Sequence, residues 1–314
     1  MKIILEVLAE EGGTRLDSFL ATRSALLSKR AAKELCERKL VRVNGKAARS
    51  GTLLQPGDEI ELDEVHTEVR ARPERVDRSS MPPIIFENER YLVVEKPSGM
   101  DSVVQRGDDP LTLADYIAAY APGCADASPD PREAGLLQRL DYHTSGLLLA
   151  AKDLESWNTL HQLLKSEHIE KQYLALCEGR GPERGIRIAY PLVAAADGKT
   201  MRVERDAKES LSNVKLLSAE TKLVTESTTE RQGRSYSLLR ASGTAMRRHQ
   251  VRAHLAAAGY PLVGDSAYGS TSTLHTFELN REGFLLHAVS IRFTDPWTNK
   301  PVLFKGSDPL SGFF

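Results

Sequence analysis

Apolar residues recur at helical spacing at Leu16, Phe19 and Leu20, and again at Ala31, Leu35 and at Ala32, Cys36. The spacing predicts two helices near the start of the chain, the first capped by Thr14 with Asp17 three residues on, the second running from after Ser28 to about Arg38. Val41 and Val43 then alternate with polar residues as a strand does, Asn44-Gly45 is a tight-turn pair, and Pro56-Gly57-Asp58 makes a second turn before a strand from Glu59 to Leu62. From His66 to Ser80 the pattern lapses: four arginines, three acids and one proline with few apolar residues, closed by Met81-Pro82-Pro83, predict a linker over 66–83.

A fresh apolar pattern begins at Ile84. Ile84 to Phe86, Tyr91 to Val94, Gly135 to Leu137, Gly146 to Ala151 and Tyr173 to Cys177 are expected strands. Leu111 to Tyr120 is an expected short helix, and Asp153 is placed to cap another that runs to Lys165. Ala121 to Glu133, with three prolines, is an expected loop, and 179–240 an alternation of short strands and polar turns. Arg247 to Ala258 is expected as a helix ended by Gly259. The chain thus divides into a unit over 1–65, a linker over 66–83 and a unit over 84–314, in the α+β class.

Composition narrows the function classes. The 314 residues carry 42 Lys+Arg against 43 Asp+Glu, a formal charge of -1, with 41% hydrophobic and 27% charged residues, which is ordinary for a globular chain. No apolar run approaches the roughly 18 residues of a membrane span. The start meets Glu6 before a signal-peptide core could form, so the expected location is the cytoplasm. Cys36, Cys124 and Cys177 lie far apart, as in a reduced interior, and no CxxC pair is present.

Net charge near zero argues against binding nucleic acid by bulk basicity, but the charge is unevenly placed. Between Thr14 and Ser50 stand ten basic residues and three acids, a local +7. Lys29, Arg30 and Lys33 lie off the apolar face of the second expected helix. Such a surface attracts phosphate backbones, and a solvated helix face has the same composition. Arg15-Leu16-Asp17, Ser28-Lys29-Arg30-Ala31-Ala32, Val41 to Lys46 and Pro56-Gly57-Asp58, in that order, resemble the small RNA-binding module named after a ribosomal small-subunit protein, the S-four type. The resemblance implies that Arg15, Lys29, Arg30, Lys33, Arg42 and Lys46 contact structured RNA.

In the larger unit the strongest local feature is Gln138-Arg139-Leu140-Asp141, followed by Thr144-Ser145-Gly146 and Leu147 to Lys152. Asp141 falls at a polar break between apolar segments, where a carboxylate lies at the lip of a core. An aspartate so placed is more often a turn or salt-bridge residue than a catalyst. Tyr173, by pattern alone, is a core aromatic on a strand. The eight histidines offer no metal pattern, since His249 and His254 are five apart with no paired acid, and both are expected to be structural. Gly198-Lys199-Thr200 lacks the earlier glycine of a phosphate loop, Gly179-Arg180-Gly181 opens no apolar helix, and Ser145 lacks a G-x-S-x-G elbow.

The Arg139–Leu149 block resembles the H-R-L-D-x-x-T-S-G-L-L-L motif of RluA-type pseudouridine synthases. Lys171 to Leu176 with Glu178-Gly179, then Arg247 to Leu255, Gly259 to Asp265, Tyr268-Gly269, Leu286-His287-Ala288 and Asp295-Pro296 follow as in that family. Two positions depart from it: Gln138 stands for the family's histidine, and Met246-Arg247-Arg248 for its G-R-T. The resemblance implies a mostly antiparallel, bent mixed sheet with a central cleft, and isomerisation of uridine to pseudouridine within RNA, with no cofactor and no metal. It implies that Asp141 is the essential carboxylate, Arg252 its ion-pair partner and Tyr173 the ring against the target base. Leu286 would form the pocket floor, and Arg139 an RNA or structural contact. By analogy with the family the expected substrate is large-subunit ribosomal RNA, with transfer RNA next, and the expected state a monomer. A non-catalytic RNA-binding or ribosome-assembly factor on the same scaffold is the reading from another class. Asp141, Tyr173 and Arg252 speak for the enzyme, Gln138 and Met246 for the factor.

Overall fold

The computed structural model describes residues 2–23, 29–37, 39–63, 71–105, 109–196, 198, 200–204, 217, 219–244, 246–279 and 282–309. The N-terminal part comprises β1 (Lys2–Glu6), α1 (Leu16–Arg23), α2 (Lys29–Glu37), β2 (Val41–Val43), β3 (Lys46–Ala47) and β4 (Glu59–Asp63), with sheet order β1-β4-β2-β3. Leu16, Phe19 and Leu20 of α1 pack with Ala32, Leu35 and Cys36 of α2 over Val41, Ile60 and Leu62, as their spacing predicts. Asn44 and Gly45 both take positive φ (51° and 74°), which closes the β2–β3 hairpin with the twist such turns require.

Two details differ from the sequence reading. The strand at 2–6 carries no alternation marked enough to have been expected; it pairs antiparallel with β4 along its whole length. The start of α1 is not held by a Thr14–Asp17 box. The N–H groups of Leu16 and Asp17 donate to the carbonyls of Thr52 (2.8 Å) and Ser50 (3.0 Å), so the following loop satisfies them and Asp17 is left to accept from Arg15.

The larger unit contains β5 (Ile84–Glu87), β6 (Tyr91–Lys96), α3 (Leu113–Tyr120), β7 (Ser145–Ala151), α4 (Leu154–Lys165), β8 (Glu170–Glu178), β9 (Ile186–Ile188), β10 (Leu192–Ala194), β11 (Met201–Val203), β12 (Thr221–Arg231), β13 (Arg234–Gly243), α5 (Gln250–Ala257), β14 (Leu286–Asp295) and β15 (Lys300–Lys305). Its nine-stranded sheet runs β5-β6-β7-β14-β8-β13-β12-β9, with β15 on β14. All the pairings described are antiparallel except β7 with β14. That parallel seam holds only two residue pairs, His287 with Ser145 and Ala288 with Gly146. Gly146 has φ +109°, and a Cβ there would run into the backbone of Ala288.

Side chains alternate across this sheet. Tyr173, Ala175 and Cys177 of β8, with Leu286 and Ala288 of β14, join α3 and α5 in one core. On the other face Val93, Leu147 and Leu149 pack with Trp157 and Leu160 of α4. Asp153 caps α4, accepting from the N–H of Ser156 at 2.8 Å, as expected. The three cysteines are buried and unpaired. Three expectations change. Leu136 forms only an isolated bridge to Ala150 and not a strand. The stretch 179–240 holds the expected short strands in β9, β10 and β11, but it also carries a long ribbon, β12 with β13, turned at Gln232-Gly233, where both residues have positive φ. Finally, α5 begins at Gln250, because His249 takes a left-handed conformation (φ 53°) that a helix interior excludes.

The expected linker also changes character. Residues 64–70 lie outside the described residues, but 71–80 belong to the larger unit. Ala71 is buried against its core. Arg72 donates through its backbone N–H and through Nη2 (2.9 Å) to Asp115, which is fully buried and also closes the capping box of α3 through Thr112. Burial opposes the charge of Asp115, yet the hydrogen bonds from Arg72 and Thr112 hold its carboxyl below the usual range. Arg72→Met would strand that carboxylate, so urea unfolding should report a loss of about 3–5 kcal/mol. An unchanged midpoint would return 71–80 to the linker.

Candidate functional site

A cleft of about 630 Å³ opens on the face of the sheet covered by α3 and α5. Asp101, Ser102, Val103, Gln105 and Glu133 line it, together with three further pieces of backbone. The segment 137–144 enters β7, the turn 246–249 precedes α5, and β8 and β14 supply the floor through Tyr173 and Leu286, both nearly buried at 5% exposure.

Asp141, Arg139, Tyr173, Arg252 and Leu286 all line this cleft. Arg252 projects from α5 and donates through Nη1 to Asp141 Oδ2 at 2.8 Å. Its other edge is taken by Asp265, with Nε at 2.8 Å from Oδ2 and Nη2 at 2.9 Å from Oδ1. The guanidinium carbon lies 4.5 Å from the ring centroid of Phe284 and 4.9 Å from that of Tyr268. Burial works against the Arg252 charge, but the hydrogen bond and charge of Asp265 and the charge of Asp141 more than offset it and raise its pKa. Burial first, then the charge of Asp141, raises the pKa of the Tyr173 phenol, so the hydroxyl stays neutral across physiological pH.

Several residues at this site carried no functional expectation. Asp265 is one. A second is His249, expected to be structural: its left-handed backbone turns the ring into the cleft, with Nε2 3.7 Å from Asp141 Oδ1 and Nδ1 3.0 Å from the Tyr268 hydroxyl. Burial lowers the His249 pKa, with Asp141 opposing. A third is Lys96, fully buried beside the cleft, whose ammonium donates to the carbonyls of Met100 (2.6 Å), Pro97 (3.0 Å) and Tyr142 (3.3 Å). Burial pushes its pKa down to about 8, while Asp101 and Asp141 pull it upward. Glu133, on the cleft wall, is pushed up to about 7 by burial and by Asp130, with Arg139 and Arg132 opposing. The two departures meet across the cleft rim: Gln138 Nε2 lies 3.4 Å from the Met246 carbonyl. No three of His, Cys, Asp and Glu converge as metal ligands among the described residues.

The N-terminal basic residues form a separate group. Arg15 is bound to Asp17 at 2.6 Å with its side chain still 55% exposed. Lys33 is exposed and reaches Glu37 at 3.7 Å. Arg42 and Lys46 are exposed on the β2–β3 hairpin. Lys29 and Arg30 occupy the first two positions of α2, and their side chains lie outside what is described.

The sequence profile of RNA pseudouridylate synthases matches residues 90–257, more than half of the chain and all of the cleft lining save Leu286 of β14. The chain belongs to that family. It is therefore an isomerase of the kind that turns RNA uridine into pseudouridine, and the S4 domain profile matches residues 14–60. Over 310 residues the synthase is 28% identical to the Ribosomal large subunit pseudouridine synthase C of Escherichia coli (strain K12), covering 95% of this chain and 90% of the relative. The protein of the same name from Pasteurella multocida is also 28% identical, over 307 residues, with 95% and 87% covered. Among solved structures the synthase resembles Human RNA Pseudouridylate Synthase Domain Containing 1, with TM-score 0.56 and 25% identity, over 75% of this chain and 86% of that one.

Lys171, next to the cleft floor, offers a test of this packing. It is buried, its ammonium lies 5.8 Å from the Tyr173 ring centroid, and burial pushes its pKa down to about 7. The unfolded chain holds that proton to about pH 10. The unfolded state therefore binds more protons between these values, and stability rises with pH from about 7 upward. Lys171→Met should melt at a higher temperature than the natural protein at pH 7, and the gap should narrow by pH 9. Equal gaps at both pH values would contradict the burial.

Proposed function

We propose that the synthase isomerises specific uridines of large-subunit ribosomal RNA in the cytoplasm, with Asp141 as the essential carboxylate. The observation that carries this reading is the Asp265–Arg252–Asp141 chain, which aims one carboxylate into a cleft floored by a tyrosine and a leucine. The relatives' names and the S4 match support the substrate class.

The reaction detaches the base from its sugar carbon, turns it and rejoins it through carbon 5. For that the target must leave its helix and be held while unattached. Arg252 holds Asp141 in direction. The Tyr173 ring receives the base by stacking, and its neutral hydroxyl serves as a relay for the carbon 5 proton, one proton leaving as another arrives, since a phenolate is not available to act as a standing base. Leu286 closes the floor, and Arg139 contacts RNA at the rim. The S4 module, with Arg15, Lys29, Arg30, Lys33, Arg42 and Lys46, grips structured RNA through phosphates.

Asp141→Asn should abolish isomerisation, by 10³-fold or more, while RNA binding stays within about threefold. Turnover equal to that of the natural protein would refute the role. Pseudouridine maps of ribosomal and transfer RNA from cells with and without the gene should differ at ribosomal positions, and a loss confined to transfer RNA would overturn the substrate assignment. Neutralising Lys29, Arg30 and Lys33 together should weaken RNA binding and lower the slope of log affinity against log salt by about 2 to 3. An unchanged slope would make them a solvated helix face.

A further inference from the structure

We propose that Tyr142 is a stacking platform for the base adjacent to the target uridine. The inference rests on the reading of the cleft as the uridine pocket and names a further substrate contact of it. Tyr142 follows Asp141 in the chain and lines the same cleft, yet it is 47% exposed, while Tyr173 on the floor is 5% exposed. A single exposed aromatic is common on any surface. This one is distinguished by how firmly its backbone is held at the mouth of a site.

The Tyr142 carbonyl accepts from the Gly99 N–H at 2.9 Å and from the buried Lys96 ammonium at 3.3 Å. On either side of it, the Thr144 N–H donates to the Asp141 carbonyl at 3.0 Å and the Ser98 hydroxyl donates to the His143 carbonyl at 2.8 Å. The Tyr142 ring meets the His143 ring edge to face (centroids 4.9 Å apart, 83° between planes), and His143 in turn meets Phe284 at 5.7 Å and 70°. Phe284 also packs on the Arg252 guanidinium. The half-exposed ring is thus built on the same frame as the ion pair that aims Asp141, so little side-chain freedom remains to be lost on binding.

The chemistry that fits such a ring follows from the reaction. When a uridine leaves its stack, the neighbouring base loses a stacking partner on that side. A fixed aromatic face restores it without reading sequence, since every base has a π face. Arg139, Arg247 and Arg248, all exposed on the same cleft, supply cations for the flanking phosphates. The ring and the cations together define the ligand as a short extruded RNA segment, with the target base on Tyr173 and its neighbour on Tyr142.

The test uses the full-length protein and an RNA fragment spanning the uridine that the pseudouridine map identifies, with 2-aminopurine placed on one side of that uridine or the other. Tyr142→Ala should raise KM about ten- to a hundredfold with kcat within about threefold, and Tyr142→Phe should behave as the natural protein. In an Asp141→Asn background, where no turnover intervenes, binding should quench 2-aminopurine on one side of the target, and Tyr142→Ala should remove that quench. A KM within twofold and an unchanged quench in a Tyr142→Ala protein of unaltered melting temperature would overturn the stacking role while leaving the isomerase reading intact. A natural protein that fails to isomerise the fragment would overturn both.

Discussion

The Arg252 guanidinium is committed on one edge to both oxygens of Asp265 before it reaches Asp141 with the nitrogen that remains. A planar fork can hold one carboxylate through two parallel bonds and still reach a second; an ammonium has donors enough for both but lacks that bidentate geometry. The aromatic rings of Phe284 and Tyr268 close on the guanidinium and exclude alternatives. The direction of the Asp141 carboxylate is therefore set by contacts behind it, away from the open cleft. The same rings tie this arrangement outward, Phe284 to His143 and Tyr268 to His249 and to the N–H of Met201 on β11.

Backbone geometry serves the same end. The left-handed His249 delays the start of α5 and swings an imidazole toward Asp141. Lys96, with three carbonyls around one ammonium, holds the 97–100 loop against the 141–143 turn. Arg252 thus fixes a carboxylate that is itself 27% exposed, and Lys96 fixes the backbone beside it. A buried charge with such partners costs much to desolvate, and that cost is tolerable because every donor has an acceptor.

Much of this was legible in the chain. The S-four-type motifs fell in order, Asn44-Gly45 closed a hairpin, Asp153 capped α4, and the block around Asp141 led to the cleft. What stayed hidden depends on long-range contact. Asp265 closes the Gly259–Asp265 segment that resembles the family, yet nothing local tells that its carboxylate will receive an arginine and not face water. His249 lay inside an expected helix, where a left-handed residue leaves no periodic trace. Arg72 fell in a stretch whose composition is that of a linker, and only its meeting with Asp115 makes it part of a core. The first strand is short, and its identity comes from β4, far along the chain.

The seam between β7 and β14 bears on how such a protein can change over time. Two residue pairs join the strands there, at the level of Ser145 and Gly146, a few residues beyond Asp141. At Gly146 even one methyl group would push against the backbone of Ala288 and part the sheet beneath the cleft. At the rim, by contrast, Gln138 and Met246 can stand where the resembling family has other residues. Tolerance to substitution is thus divided by depth: the lip carries residues that differ from the family's pattern, while the seam at Gly146 is held to a volume that admits hydrogen and nothing larger.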